Sequence, residues 1–161
     1  MPPSTQASKL GPLLPDAGKA MPLIAAPPNG FTADGCLDGD VIGHMAQHLH
    51  RHGVSGVFVN GTTGEGMSLS TDERMRVAEE WRGSLPEGMR YILHVGYACE
   101  TEAAKMARHG LEIGVDAIAA VLPETIGCDD IEGAVDWCGR VAAAAPELPF
   151  YLYYIPTMNG V

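Results

Sequence analysis

The chain has 161 residues, enough for one domain with a sizeable core, and its 46% apolar and 19% charged residues are ordinary for a globular protein rather than a disordered one. A formal net charge of −10 lacks the basic footprint that a nucleic-acid partner requires. No apolar run approaches the ~18 residues of a membrane span, no signal-peptide pattern is present, and Cys36, Cys99, Cys128 and Cys138 form no CxxC pair. A reduced, cytoplasmic protein without a membrane partner fits these features.

Residues 1–20 are rich in Pro, Gly, Ser and Ala without periodicity and read as a disordered tail; residues 21–161 read as the domain. Leu23-Ile24-Ala25-Ala26 is a short apolar run closed by Pro27-Pro28-Asn29-Gly30, a strand and turn. Asp38 or Asp40 can cap a helix to about His52, with Val41, Ile42, Met45 and Leu49 on one face and Gly53 closing it. Gly56 to Asn60 is a second strand.

A glycine-spaced stretch follows, Gly61-Thr62-Thr63-Gly64-Glu65-Gly66. It lacks the Gly-Lys-Ser/Thr ending of a P-loop and reverses the glycine order of a dinucleotide fingerprint. Adjacent threonines among glycines instead suit a small carboxylate, because hydroxyls and backbone N–H groups can satisfy both oxygens. Behind it, Ser70 and Glu73 stand at capping-box spacing and open a helix to about Arg82, with Met75, Ala78 and Trp81 spaced for burial.

Tyr91 to Val95 is strand three, Thr101 to Glu112 a helix, and Asp116 to Leu122 strand four. Asp129 or Asp130 caps a helix running into the Ala142–Ala145 run, and Leu148 to Ile155 is strand five. Five short, continuously apolar strands alternate with four helices, as in a helix-covered parallel sheet. Either a doubly wound sheet or part of a (β/α)8 barrel satisfies the pattern, and in both the chemistry collects at the carboxyl ends of the strands. Thr62, Thr63 and Glu65 lie there after strand two, and Tyr153 and Tyr154 at the end of strand five.

His44, His48 and His52 recur every fourth residue on the first helix and read as a solvated polar face rather than a metal site, since no further ligand type accompanies them. His94, inside strand three, reads as a hydrogen-bonded core residue. Tyr151 and Tyr153 share one face of strand five, and Tyr154 takes the other. There are only three lysines, Lys9, Lys19 and Lys105. The first two lie in the tail and Lys105 lies mid-helix, so none sits in an apolar strand where burial would suit it to amine chemistry.

The run Val57-Phe58-Val59-Asn60-Gly61-Thr62-Thr63-Gly64-Glu65-Gly66, then Ser68-Leu69-Ser70 with Glu73-Arg74, resembles the N-acetylneuraminate lyases. These belong to the pyruvate-dependent class I aldolase superfamily that includes dihydrodipicolinate synthase. Val77-Ala78-Glu79-Glu80-Trp81, His94-Val95-Gly96 and Tyr153-Tyr154-Ile155-Pro156 with Gly160-Val161 extend the resemblance from about Leu23 to Val161. It implies a (β/α)8 TIM barrel, usually a homotetramer, that needs no cofactor or metal. The implied reaction cleaves N-acetylneuraminate to N-acetylmannosamine and pyruvate through a Schiff base on a strand-six lysine. It further implies that Thr62 and Thr63 hold the pyruvate carboxylate and that Tyr153 is the proton donor and acceptor at the sugar oxygen. Where the family usually has a Thr-Pro step this chain has Asn29-Gly30-Phe31, and where it often has Pro with two aromatics this chain has Pro123-Glu124-Thr125.

A full barrel takes about 250 residues. The expectation is therefore an incomplete barrel truncated after strand five, without the Schiff-base lysine and inactive alone. Two alternatives stand beside it: a non-enzymatic half-barrel that self-associates, and a superfamily member acting on another pyruvate-derived substrate, such as dihydrodipicolinate synthase.

Overall fold

In the computed structural model, residues 22–96, 98–124, 126 and 131–155 are described. The tail and the Asp129/Asp130 cap expected from the sequence lie outside them. The apolar runs become strands β1 (Ile24–Ala25), β2 (Gly56–Val59), β3 (Arg90–His94), β4 (Ala117–Ala120) and β5 (Phe150–Leu152). Between them lie helices α1 (Gly39–Arg51), α2 (Thr71–Ser84), α3 (Glu100–Glu112) and α4 (Ile131–Ala142).

All four strand pairings are parallel, and the strand order is β1-β2-β3-β4-β5. A doubly wound sheet reverses its order at a switch point and carries helices on both faces. Among the described residues neither happens. Register partners Val57–Tyr91 and Leu93–Ile118–Phe150 share one face, and Phe58–Ile92 and His94–Ala119–Tyr151 share the other. On the first face, Val57, Val59, Tyr91, Leu93 and Ile118 form one core with residues of all four helices, among them Ile42, Val77, Met106 and Trp137. On the opposite face only Ile92, Ala117 and Ala119 form a small second cluster, flanked by Ile24 and Phe58. Sequential order with helices on one side is the arrangement of five successive strands of a TIM barrel and the four helices between them, the α/β architecture implied by the resemblance.

The local signals act as elementary chemistry requires. Asp38, rather than Asp40, caps α1 by accepting from the N–H groups of Asp40 and Val41. The Ser70/Glu73 capping box is complete, with the Ser70 Oγ accepting the Glu73 N–H and the Glu73 carboxylate accepting the Ser70 N–H. Trp81, Val77 and Ala78 are fully buried on α2. Strand four stops two residues earlier than its apolar run. The N–H of Val121 turns away from the sheet and donates to His94 Nε2 at 3.2 Å. Strand five is likewise short, although the Tyr153 N–H still donates to the Ala120 carbonyl at 2.8 Å. Among the described residues no helix is long and apolar enough to cross a membrane.

Candidate functional site

At the carboxyl end of β2 the chain leaves the sheet at Asn60, which is buried and left-handed at φ 62°. Asparagine tolerates that conformation better than a branched side chain would. Its amide nitrogen donates to the carbonyl of Arg74 on α2 at 3.0 Å. The loop then closes on itself, with Gly66 N–H donating to Gly61 O at 3.2 Å and Glu65 N–H to Thr62 O at 3.0 Å. A Cβ at Gly66 would stand 2.1 Å from the Asn60 carbonyl oxygen, so this closure requires glycine. A short 3₁₀ turn, Gly66–Ser68, leads from the loop to the α2 cap; the sequence pattern gave no sign of it.

This wrapping puts Thr62 and Thr63 at the exposed crest of the loop. Among the described residues, neither their hydroxyls nor their N–H groups enter an internal hydrogen bond. Two hydroxyls and two amides therefore remain available to an external acceptor. The following Gly64 is pinned from the side, its carbonyl accepting the Asn29 amide at 2.6 Å. Asn29 stands where the resemblance leads one to expect Thr-Pro, and its side chain ties the loop after β1 to the loop after β2.

Tyr153 reaches the same end of the sheet from just beyond β5. Its ring is half-buried and packs edge-on against Phe58 at 5.1 Å and His94 at 6.0 Å. Phe58 and His94 are themselves 5.8 Å apart. Tyr153 thus lies on the face away from the helices, as the alternation predicts, and Tyr154 is exposed. His94 is 2% exposed. Burial first, then the nearby Arg74 guanidinium, push its pKa down to about 3, against an opposing contribution from the Asn60 backbone carbonyl. It is a neutral imidazole whose Nε2 accepts, so the proton is assigned to Nδ1. That is a hydrogen-bonded core histidine, as expected, and not a base near neutrality.

Arg74 is the residue the sequence reasoning missed. It is fully buried, and its Nη2 donates to the His94 carbonyl at 2.8 Å. The spacing of 74, 77, 78 and 81 places it on the buried stripe of α2, which was the available signal. Lys105, by contrast, is on the outer layer, where it pairs with Asp72 at 3.4 Å with its side chain 45% exposed. His44, His48 and His52 are exposed, and among the described residues no three of His, Cys, Asp or Glu converge to hold a metal ion. A groove of about 770 Å³ lies in the helical layer, lined by Leu37, Asp38, His44, Glu80 and Ser84 among others, and includes none of Thr62, Thr63 and Tyr153.

Residues 19–161 match the profile of the Dihydrodipicolinate synthetase family. The chain belongs to that family. Within it, the chain is similar to N-acetylneuraminate lyase from Rattus norvegicus, 41% identical over 145 residues that cover 89% of this chain and 45% of the relative. Among solved structures it is similar to Proteus mirabilis N-acetylneuraminate lyase, with TM-score 0.82 and 35% identity over 85% of this chain and 46% of that one. It is also similar to YagE, a prophage protein of the dihydrodipicolinic acid synthase family from E. coli K12 in complex with pyruvate. There the TM-score is 0.80 and the identity 25%, over 86% of this chain and 46% of that one. This member of the dihydrodipicolinate synthetase family thus spans about half the length of the relatives it matches.

Proposed function

We propose that the chain forms the carboxylate-holding and proton-transferring half of an N-acetylneuraminate lyase site. The observation that carries the reading is the Gly61–Gly66 loop. It turns the unengaged hydroxyls and amides of Thr62 and Thr63 outward at the same sheet end as Tyr153. Neutral donors there hold the two oxygens of a pyruvate carboxylate without placing a competing cation beside the ketone. Tyr153 transfers the proton on the sugar oxygen as the bond between pyruvate and N-acetylmannosamine breaks or forms. The amine of the Schiff base is not Lys105, which faces solvent across α2 and α3. The reading places it on a neighbouring strand beyond β5. The lyases similar to this chain, and the relative solved with pyruvate, support this assignment. A homotetramer in the cytoplasm is the assembly and compartment that go with it.

The test is borohydride trapping of radiolabelled pyruvate on two proteins. One is the 161-residue chain; the other continues past Val161 with the corresponding residues of the Proteus mirabilis enzyme. Label in the chimaera alone is expected. Label on Lys105 of the short chain, or none in the chimaera, overturns the reading. If the chimaera condenses pyruvate with an aldehyde other than N-acetylmannosamine, the site belongs to another pyruvate-dependent member of the family.

Among the described residues β5 pairs with β4 alone, which favours a second, non-enzymatic reading. Tyr151, Leu152 and Tyr154 are exposed there, a surface that could pair with a second copy. A concentration-dependent dimer with no label in either protein would favour it.

A further inference from the structure

We propose that Arg74 is the positioning residue that sets the carboxylate loop and Tyr153 in register with each other. The inference rests on the reading of Thr62, Thr63 and Tyr153 given above and deepens it. Arg74 is fully buried, an unusual place for an arginine. Its two polar ends reach two different strands. Its backbone carbonyl accepts the Asn60 side chain at 3.0 Å, at the point where β2 gives way to the loop bearing Thr62 and Thr63. Its Nη2 donates to the His94 carbonyl at 2.8 Å, at the end of β3. The His94 ring then holds the start of the segment after β4, through Val121, and packs against Tyr153 at 6.0 Å. A single residue on α2 therefore links the threonine loop on one side and the tyrosine on the other.

The chemistry explains why this side chain suits the task. A guanidinium remains charged at every accessible pH, and its rigid fork fixes the direction of each donated bond. A charge-assisted bond to a buried carbonyl is stronger than a neutral one and is not loosened by competing water. Arg74 touches no substrate atom in this account. Its guanidinium holds His94 while its main-chain carbonyl holds Asn60, and small misplacements of a bound keto acid are costly.

The experiment is amide and aromatic NMR on the 161-residue chain and on Arg74→Met and Asn60→Gly, each with and without pyruvate. Asn60→Gly keeps the left-handed backbone available while removing the amide that grips Arg74. Without ligand, Arg74→Met removes the guanidinium bond to His94 but keeps the main-chain carbonyl that holds Asn60, so it is expected to shift the Tyr153 resonances more than those of Thr62 and Thr63, with the indole signal of Trp137 on α4 unmoved. Asn60→Gly is expected to shift Thr62 and Thr63 and leave Tyr153 in place. With pyruvate, each variant is expected to bind about tenfold more weakly than the parent, with thermal unfolding still cooperative. Unmoved Thr62 and Thr63 resonances in Asn60→Gly, or unmoved Tyr153 in a folded Arg74→Met, overturn the proposal. If Arg74→Met does not fold, the Asn60→Gly result decides alone. A parent chain that binds no pyruvate counts against the functional reading, while the ligand-free shifts still decide the role of Arg74.

Discussion

The N–H of Val121 donates to Nε2 of His94 at 3.2 Å, so a ring from β3 terminates β4. The bond can form only while His94 is neutral, because an imidazolium has no acceptor. The folded pKa near 3 lies below the ordinary 6.5, so between these values the unfolded chain binds the extra proton. The contribution of His94 is therefore complete above about pH 6.5 and is lost as the pH falls toward 3, at up to about 1.4 kcal/mol per pH unit. Urea unfolding of the parent and of His94→Gln at pH 7 and pH 4.5 measures it. The parent should lose more stability than the variant on acidification, and equal losses would contradict this account.

A Cβ added at Gly66 meets the Asn60 carbonyl oxygen at 2.1 Å, whereas one added at Gly139 on α4 meets nothing within 4 Å. The two alanine substitutions should therefore have opposite signs. Gly66→Ala must displace the backbone that carries the threonines and should cost several kcal/mol, on the order of other forced backbone shifts. Gly139→Ala fills open space in a helix and should stabilise by roughly 0.5–1 kcal/mol. Paired thermal melts distinguish the two.

The fold was legible in the sequence wherever local chemistry alone decides it. Ser70 and Glu73 cap α2 as their spacing requires, because a capping box needs only residues three apart. Val57, Leu93 and Ile118 read as buried strand residues, and they are. Periodicity could not separate a barrel from a doubly wound sheet. That choice lies in the order of pairing between residues such as Ile24 and Gly56, far apart in the chain. Leu122 extends an apolar run and is buried, yet it lies outside β4 because a side chain, not a strand, takes the preceding N–H. Arg74 was missed for a related reason. Composition assigns arginine to water, and only the positions of Asn60 and His94 in space make burial worthwhile.

The α2 cap can be separated from the site chemistry. The Glu73 carboxylate accepts from both the N–H and the hydroxyl of Ser70, bonds that hold its pKa below the usual glutamate value. Ser70→Ala removes the cap while leaving Asn60, Arg74 and the loop glycines in place. It should cost about 1 kcal/mol in chemical denaturation. Pyruvate-induced shifts at Thr62 and Thr63 should persist. Their loss in a folded Ser70→Ala chain would mean that the loop depends on the cap rather than on Asn60.

The sharpest separation of binding from chemistry lies between Tyr153 and the threonines. Tyr153→Phe keeps the ring that packs on Phe58 at 5.1 Å and on His94 at 6.0 Å, and removes only the hydroxyl. In the chimaera that carries a strand-six lysine, the substitution should leave thermal stability within about 0.5 kcal/mol. Pyruvate trapping should also persist, while cleavage of N-acetylneuraminate should slow by roughly 10²–10⁴, the span of a lost proton transfer. Thr63→Val should act the other way. On the proposed reading it removes a donor to the carboxylate, so the KM for N-acetylneuraminate should rise and pyruvate trapping should weaken. Steady-state kinetics paired with borohydride trapping resolves the two patterns. If Tyr153→Phe abolished trapping as well as cleavage, the phenol would be needed for Schiff-base formation itself, and its assignment to the sugar oxygen alone would fail.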